Sequence, residues 1–110
     1  MPVDVMPFTS GKLKNNSYIV TDRDTFCVVI DPGEHLDPII EQIQDQKVDY
    51  ILLTHCHFDH ISGLNDLRKY TDAPVVAHRS EAEWLLDPKL NGSSLMGTQV
   101  VCDHPDILLN

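Results

Sequence analysis

The chain has 110 residues, 42% of them hydrophobic, and a formal net charge of -9. This is one domain, or part of one, with enough apolar residues for a packed core, which excludes a disordered chain. The acidic balance opposes a nucleic-acid binder, which shows a basic footprint, and the longest apolar runs are far too short to span a bilayer.

Met1-Pro2-Val3-Asp4 carries neither the basic region nor the apolar region of a signal peptide, so the cytoplasm is the expected location. Val3 to Phe8 alternates loosely and predicts a first strand. Gly11 to Asn16 reads as a turn, and Lys12/Lys14 within it, like Arg68/Lys69 later, is a small basic cluster on a solvated face. Ser17 to Val20 and Thr25 to Ile30 read as paired strands around a polar hairpin turn at Thr21-Asp22-Arg23-Asp24, and Asp31-Pro32-Gly33 ends the second strand. Leu36, Ile39, Ile40 and Ile43 form the stripe of an amphipathic helix over Leu36 to Gln46, with Asp37-Pro38 in its first turn.

Tyr50 to Leu53 is an apolar run that reads as a buried strand. Gly63 to Tyr70 predicts a short helix, Val75 to Ala77 a short strand, and Ser80 to Leu86 another short helix with Ser80 as N-cap and Glu83 completing a capping box. Turn signals crowd Asp87 to Met96, which reads as a surface loop, with the lining of a pocket as the alternative. Gln99 to Asn110 has no periodicity. The order predicts an α/β fold: a mixed sheet with an antiparallel start.

The three cysteines, Cys27, Cys56 and Cys102, are an odd number at wide spacing, which makes a poor disulfide framework. Cys27 sits in an apolar run and reads as a core residue.

Chemistry concentrates at His55-Cys56-His57-Phe58-Asp59-His60, where three imidazoles and a carboxylate follow directly after a strand. Side chains two apart on an extended segment point the same way, so His55 and His57 can converge on one ion while Cys56 points elsewhere, as a packed thiol rather than a ligand. Imidazole suits zinc, iron and similar divalent metals. Asp59 and His60 fall where the chain turns into the next helix and can serve a second ion nearby. Ligand sites of open α/β sheets lie beyond the carboxyl ends of the strands, where this cluster falls. Trp84 reads as a core residue and His78 as a loop histidine.

His55-Cys56-His57-Phe58-Asp59-His60 resembles the H-x-H-x-D-H signature of the metallo-β-lactamase superfamily, with Thr54 before it and Gly63 after it also fitting. Val29-Ile30-Asp31-Pro32-Gly33 looks like that superfamily's strand ending in Asp-Pro-Gly, and Asn16 to Val20 like its early strand. The general look is that of the small glyoxalase II-like hydrolases. The resemblance implies a metal-dependent hydrolase acting on a small-molecule thioester or related ester through a metal-bound hydroxide, with zinc, or else iron or manganese, as the two ions. His55 and His57 would bind the first ion, and Asp59 and His60 the second. Asp59 would also act catalytically by orienting the hydroxide. Asp31 would hold a ligating histidine, or simply close its strand as a turn residue. Lactone, β-lactam or phosphodiester hydrolysis and iron-based sulfur oxidation stay open as other chemistries of the scaffold. A non-enzymatic metal-binding or interaction domain is the alternative from a different class.

The superfamily pattern also has later ligands: a histidine in a Gly-His segment, a bridging aspartate and a final histidine. After His60 this sequence offers only His78 and His104, and Cys102-Asp103-His104-Pro105 lacks the glycine. Residues 1–110 therefore resemble one half of the family's αββα sandwich, with helices on one face of the sheet. The bare sheet face predicts a homo-oligomer or pairing with a second half, the other expectation being a fragment of a longer hydrolase.

Overall fold

The computed structural model describes residues 3–10, 15–22, 25–44 and 46–110. Lys12, Lys14 and most of the Gly11–Asn16 turn lie outside the described residues, as do Arg23 and Asp24 of the hairpin turn. One mixed sheet has its six strands in sequence order: β1 (Asp4–Ser10), β2 (Asn15–Thr21), β3 (Cys27–Ile30), β4 (Tyr50–Leu52), β5 (Val75–His78) and β6 (Ile107–Leu109). The first three are antiparallel neighbours, and β3 to β6 run parallel. Parallel neighbours need crossovers. These are α1 (Asp37–Ile43), the pair α2 (Phe58–Ile61) and α3 (Leu64–Thr71), and a 3₁₀ segment at Arg79–Leu85.

The predicted stripe decides the packing. Ile39 and Ile43 of α1 and Leu64 and Leu67 of α3 are buried in one cluster with Ile19, Val29, Ile51, Val75 and Ala77, which alternate along the strands. Burying side chains of this size contributes about 1.5–3 kcal/mol each. The helices therefore cover one face of the sheet. On the other face the register aligns Pro7, Tyr18, Ile30, Leu52, Val76 and Ile107 in a single row across all six strands. That row is apolar, and all but Val76 keep part of their surface open.

Four expectations change. The helix predicted at Leu36 to Gln46 is shorter, Asp37–Ile43, with Pro38 in its first turn as expected. The helix predicted at Ser80 to Leu86 is a 3₁₀ segment, and its N-cap is His78 rather than Ser80: the His78 Nδ1 accepts the Ser80 N–H at 3.0 Å. Ser80 already lies in the first turn, so its backbone donor needs a cap and cannot supply one. The patternless tail contains β6, which forms because β5 leaves an edge to be paired; the Val75 N–H donates to the Asp106 carboxylate at 2.8 Å. The loop from Asp87 to Met96 is not purely superficial, since Asn91 and Ser93 are fully buried. Among the described residues no helix is long and apolar enough to cross a membrane.

Candidate functional site

Two adjacent parallel strands, β3 and β4, end side by side. Asp31 follows the first and Thr54-His55 the second, and this places the aspartate against the histidine cluster. Asp31 takes φ 52, a left-handed conformation that Asp tolerates better than most residues because its short polar chain bonds locally. The turn is held from β2: the Ser17 hydroxyl donates to the Asp31 carbonyl at 2.6 Å and accepts the Gly33 N–H at 3.1 Å.

The Asp31 carboxylate is 2% exposed and fully used. Its Oδ1 accepts the Thr54 N–H at 2.8 Å. Its Oδ2 accepts the Thr54 hydroxyl and lies 2.9 Å from the His60 Nδ1. A carboxylate can only accept here, so Nδ1 carries the proton, and the tautomer this selects has its lone pair at Nε2. That Nε2 lies 3.5 Å from the Asp59 Oδ2. Two acceptors so placed repel unless a proton or a cation stands between them. Two donors to one tetrahedral ion, each about 2.1 Å from it, lie about 3.4 Å apart. The Asp59–His60 pair therefore fits a shared divalent ion in both chemistry and spacing.

The three predicted imidazoles come together as a group. The ring of His55 stands 5.1 Å from that of His57 and 3.9 Å from that of His60. His55 is thus nearer to His60 than to His57, the residue it was expected to share an ion with. Among the described residues, no three His, Cys, Asp or Glu side chains converge closely enough to enclose an ion. The physical reason is local: His55 and His60 meet ring against ring.

Cys56 is buried in the core cluster, as alternation predicted. Burial pushes its thiol up to about 12, and the nearby Glu81 and Asp31 carboxylates and Cys102 push it the same way. It is a neutral packing group. His78 and His104 stay outside the cluster: the first caps the 3₁₀ segment, and the backbone carbonyl of the second accepts from Arg68. Trp84 packs partly against the core, but its ring also stands 5.6 Å from that of His57, so it borders the site. Sequence reasoning missed Ser17, Glu81 and Asn91, whose roles depend on partners far along the chain. An open cleft of about 460 Å³ lined by Lys47–Tyr50 and Thr71–Pro74 lies at the opposite, amino-terminal ends of β4 and β5. Asp49 and Thr71 in it are spent on the backbone, at the Cys27 N–H and the Leu67 carbonyl.

Known proteins resemble this chain in sequence and in fold. The chain is 37% identical over 102 residues to the Bacillus subtilis (strain 168) protein named "Probable metallo-hydrolase YqgX", covering 90% of this chain and 48% of that protein. It is 38% identical over 72 residues to a hydroxyacylglutathione hydrolase of Photobacterium profundum, covering 61% of this chain and 28% of that protein. Its backbone superposes on the crystal structure of the BLEG-1 B3 metallo-beta-lactamase with a TM-score of 0.88 at 34% identity, covering 97% of this chain and 53% of that one. The chain thus spans about half the length, or less, of these relatives. The model of the metallo-beta-lactamase superfamily matches residues 10–110, nearly the whole chain. With the family model matching nearly the whole chain and the backbone superposing on a solved member, this protein belongs to the metallo-beta-lactamase superfamily.

Proposed function

We propose that the cluster beyond β3 and β4 is part of a divalent-metal hydrolase centre acting on a thioester or a related ester. The observation that carries this reading is the grip of Asp31 on His60, because it leaves a bare ring nitrogen beside the Asp59 carboxylate at 3.5 Å. On this reading His55 and His57 hold one ion, and Asp59 and His60 another. Zinc is the ion such donors suit, with iron or manganese as alternatives. When bound, the ion supplies Lewis acidity and a water-derived nucleophile near neutral pH. The residues of the chain do the positioning. Asp31 fixes the tautomer and direction of His60. Asp59 orients the attacking water. Trp84 walls the His57 side of the site. The choice of a thioester is supported by the likeness to the hydroxyacylglutathione hydrolase, since an acyl group on the glutathione sulfur is a thioester. A cytoplasmic setting belongs to the same reading, because Cys27, Cys56 and Cys102 are free thiols.

Zinc titration of the metal-free protein tests it. Saturable uptake is expected, and each of H55A, H57A and H60A should weaken it. Thioester turnover by the zinc-loaded protein, lost in Asp59→Asn, separates a hydrolase from a module that only binds the ion. Failure to take up zinc at micromolar concentrations, or ligand variants that bind like the parent, would overturn the reading.

A further inference from the structure

His57 occupies the junction between β4 and α2. It lies past the end of β4 and before the first turn of α2, extended at φ -66 and ψ 148, with no side-chain cap on the helix it precedes. Within α2 the His57 carbonyl accepts the His60 N–H at 2.9 Å, which holds the chain after it from one side. A single segment outside β4 and α2 holds the chain both before and after it. Before His57, the Cys56 N–H donates to the Glu81 Oε1 at 3.1 Å. After it, the Phe58 N–H donates to the Asn91 carbonyl at 2.9 Å. Between these two bonds, the His57 ring stands 5.6 Å from the Trp84 ring. Three contacts from residues 81–91 thus bracket a single histidine: one on the residue before it, one on the residue after it and one on its ring.

The segment is built to hold still. Asn91 is 0% exposed. Its Nδ2 donates to the Trp84 carbonyl at 2.8 Å and the Val100 carbonyl at 2.9 Å, while its Oδ1 accepts the Ser93 N–H at 3.0 Å. The Cys102 N–H donates to the Leu85 carbonyl at 2.7 Å, which ties the middle of the segment to the tail. The Glu81 bond is charge-assisted, the stronger kind. A buried amide with every polar atom paired is expensive to displace.

We propose that residues 81–91 form a clamp in which Glu81 and Asn91 are positioning residues for His57, fixing its imidazole and so the affinity of the ion held there. The statement about the ion rests on the proposed function; the statement about geometry does not. Asn91 acts through its backbone carbonyl and its side chain anchors the loop that carries it. Glu81 acts through its carboxylate alone, and it is only partly buried. Its truncation therefore leaves the core intact.

The experiment compares E81A, E81D and E81Q by zinc titration and by amide hydrogen exchange of the metal-free protein. E81A should lose about 10–100-fold in zinc affinity, the range typical of residues that orient a metal ligand. E81D, one methylene too short to reach the Cys56 N–H, should fall with it. E81Q keeps a carbonyl oxygen for that N–H and should retain most of the affinity. In E81A and E81D the Cys56 amide should lose protection while the Phe58 amide keeps it, because its acceptor is a backbone carbonyl. A general loss of structure would expose both. Zinc affinity equal to the parent in E81A and E81D, or an undiminished Cys56 protection, overturns the clamp. If the parent takes up no zinc, the functional reading fails and the exchange pattern alone decides whether the clamp exists.

Discussion

Asp31→Asn separates what the Asp31 side chain does for the fold from what it does for His60. In the parent, one carboxylate accepts three bonds, two from Thr54 and one from the His60 Nδ1 at 2.9 Å. An asparagine placed with its oxygen toward the Thr54 N–H and its amino group at the Oδ2 position can satisfy the same partners. The Thr54 hydroxyl then turns to accept, and His60 moves its proton from Nδ1 to Nε2 so that Nδ1 accepts. The opposite placement of the amide sets two donors against each other at the Thr54 N–H and costs about 1–3 kcal/mol more. The first arrangement therefore prevails. Bonds to a charged group contribute about 1.5–3 kcal/mol and neutral ones about 0.5–1.5, so exchanging three of them costs about 3–4.5 kcal/mol, and D31N should stay folded against a typical total of about 5–15. Asn also tolerates φ 52. Asp31→Ala does not have these compensations: three donors lose their acceptor, for about 3–9 kcal/mol in sum. Urea denaturation reads the stabilities, and ring ¹⁵N chemical shifts read the tautomer. D31N should be folded with the His60 proton on Nε2, the nitrogen otherwise free for an ion, and its zinc affinity should drop. A folded D31N that keeps the proton on Nδ1, or that binds zinc like the parent, refutes the reasoning.

Gly63→Ala should be strongly destabilising for steric reasons, since a β-carbon there would sit 2.2 Å from the Gly33 carbonyl oxygen and 2.7 Å from the Leu36 Cδ2. The blocking atom is backbone in the turn that carries Asp31, so relief must move the site; about 1–3 kcal/mol is the usual cost of overpacking, read as a lower thermal midpoint, and an unchanged midpoint refutes it. The open sheet face gives an association prediction. Val5 is 58% and Tyr50 45% exposed, at the two ends of an apolar row through Val20 and Val28. Size-exclusion chromatography with light scattering should find the 110-residue chain self-associated, with V5K/Y50K shifting it toward monomer; a well-behaved parent monomer counts against it.

The fold was legible wherever a single element must bury its own stripe. Ile39 and Ile43, or Val29 against Val28, declare their faces within a few residues because the helix period or the strand alternation is enforced locally. The histidine cluster was legible for a similar reason: His55, His57, Asp59 and His60 are close in sequence, so their density survives without any knowledge of the fold. β6 was not legible, because Ile107, Leu108 and Leu109 are all exposed and show no alternation; only the free edge of β5 makes them a strand. Nor was the cap at His78, which takes a residue type rare among N-caps.

The harder failure concerns the turns. Asp31-Pro32-Gly33 and Asn91-Gly92 both read as punctuation, and both are turns. Yet each sends something inward that the histidines need: the Asp31 carboxylate to His60, and the Asn91 carbonyl to the Phe58 N–H. The positive φ at Asp31 and Gly92, 52 and 87, is what lets the chain reverse there while a polar group still faces the protein. Sequence spacing marks such a residue as a turn former because that half of its work is local. The other half depends on a partner 29 residues away for Asp31 and on Phe58 for Asn91. Candidate site residues that sit together can be read from a sequence, but the residues that aim them cannot, because aiming a side chain requires support from outside its own element.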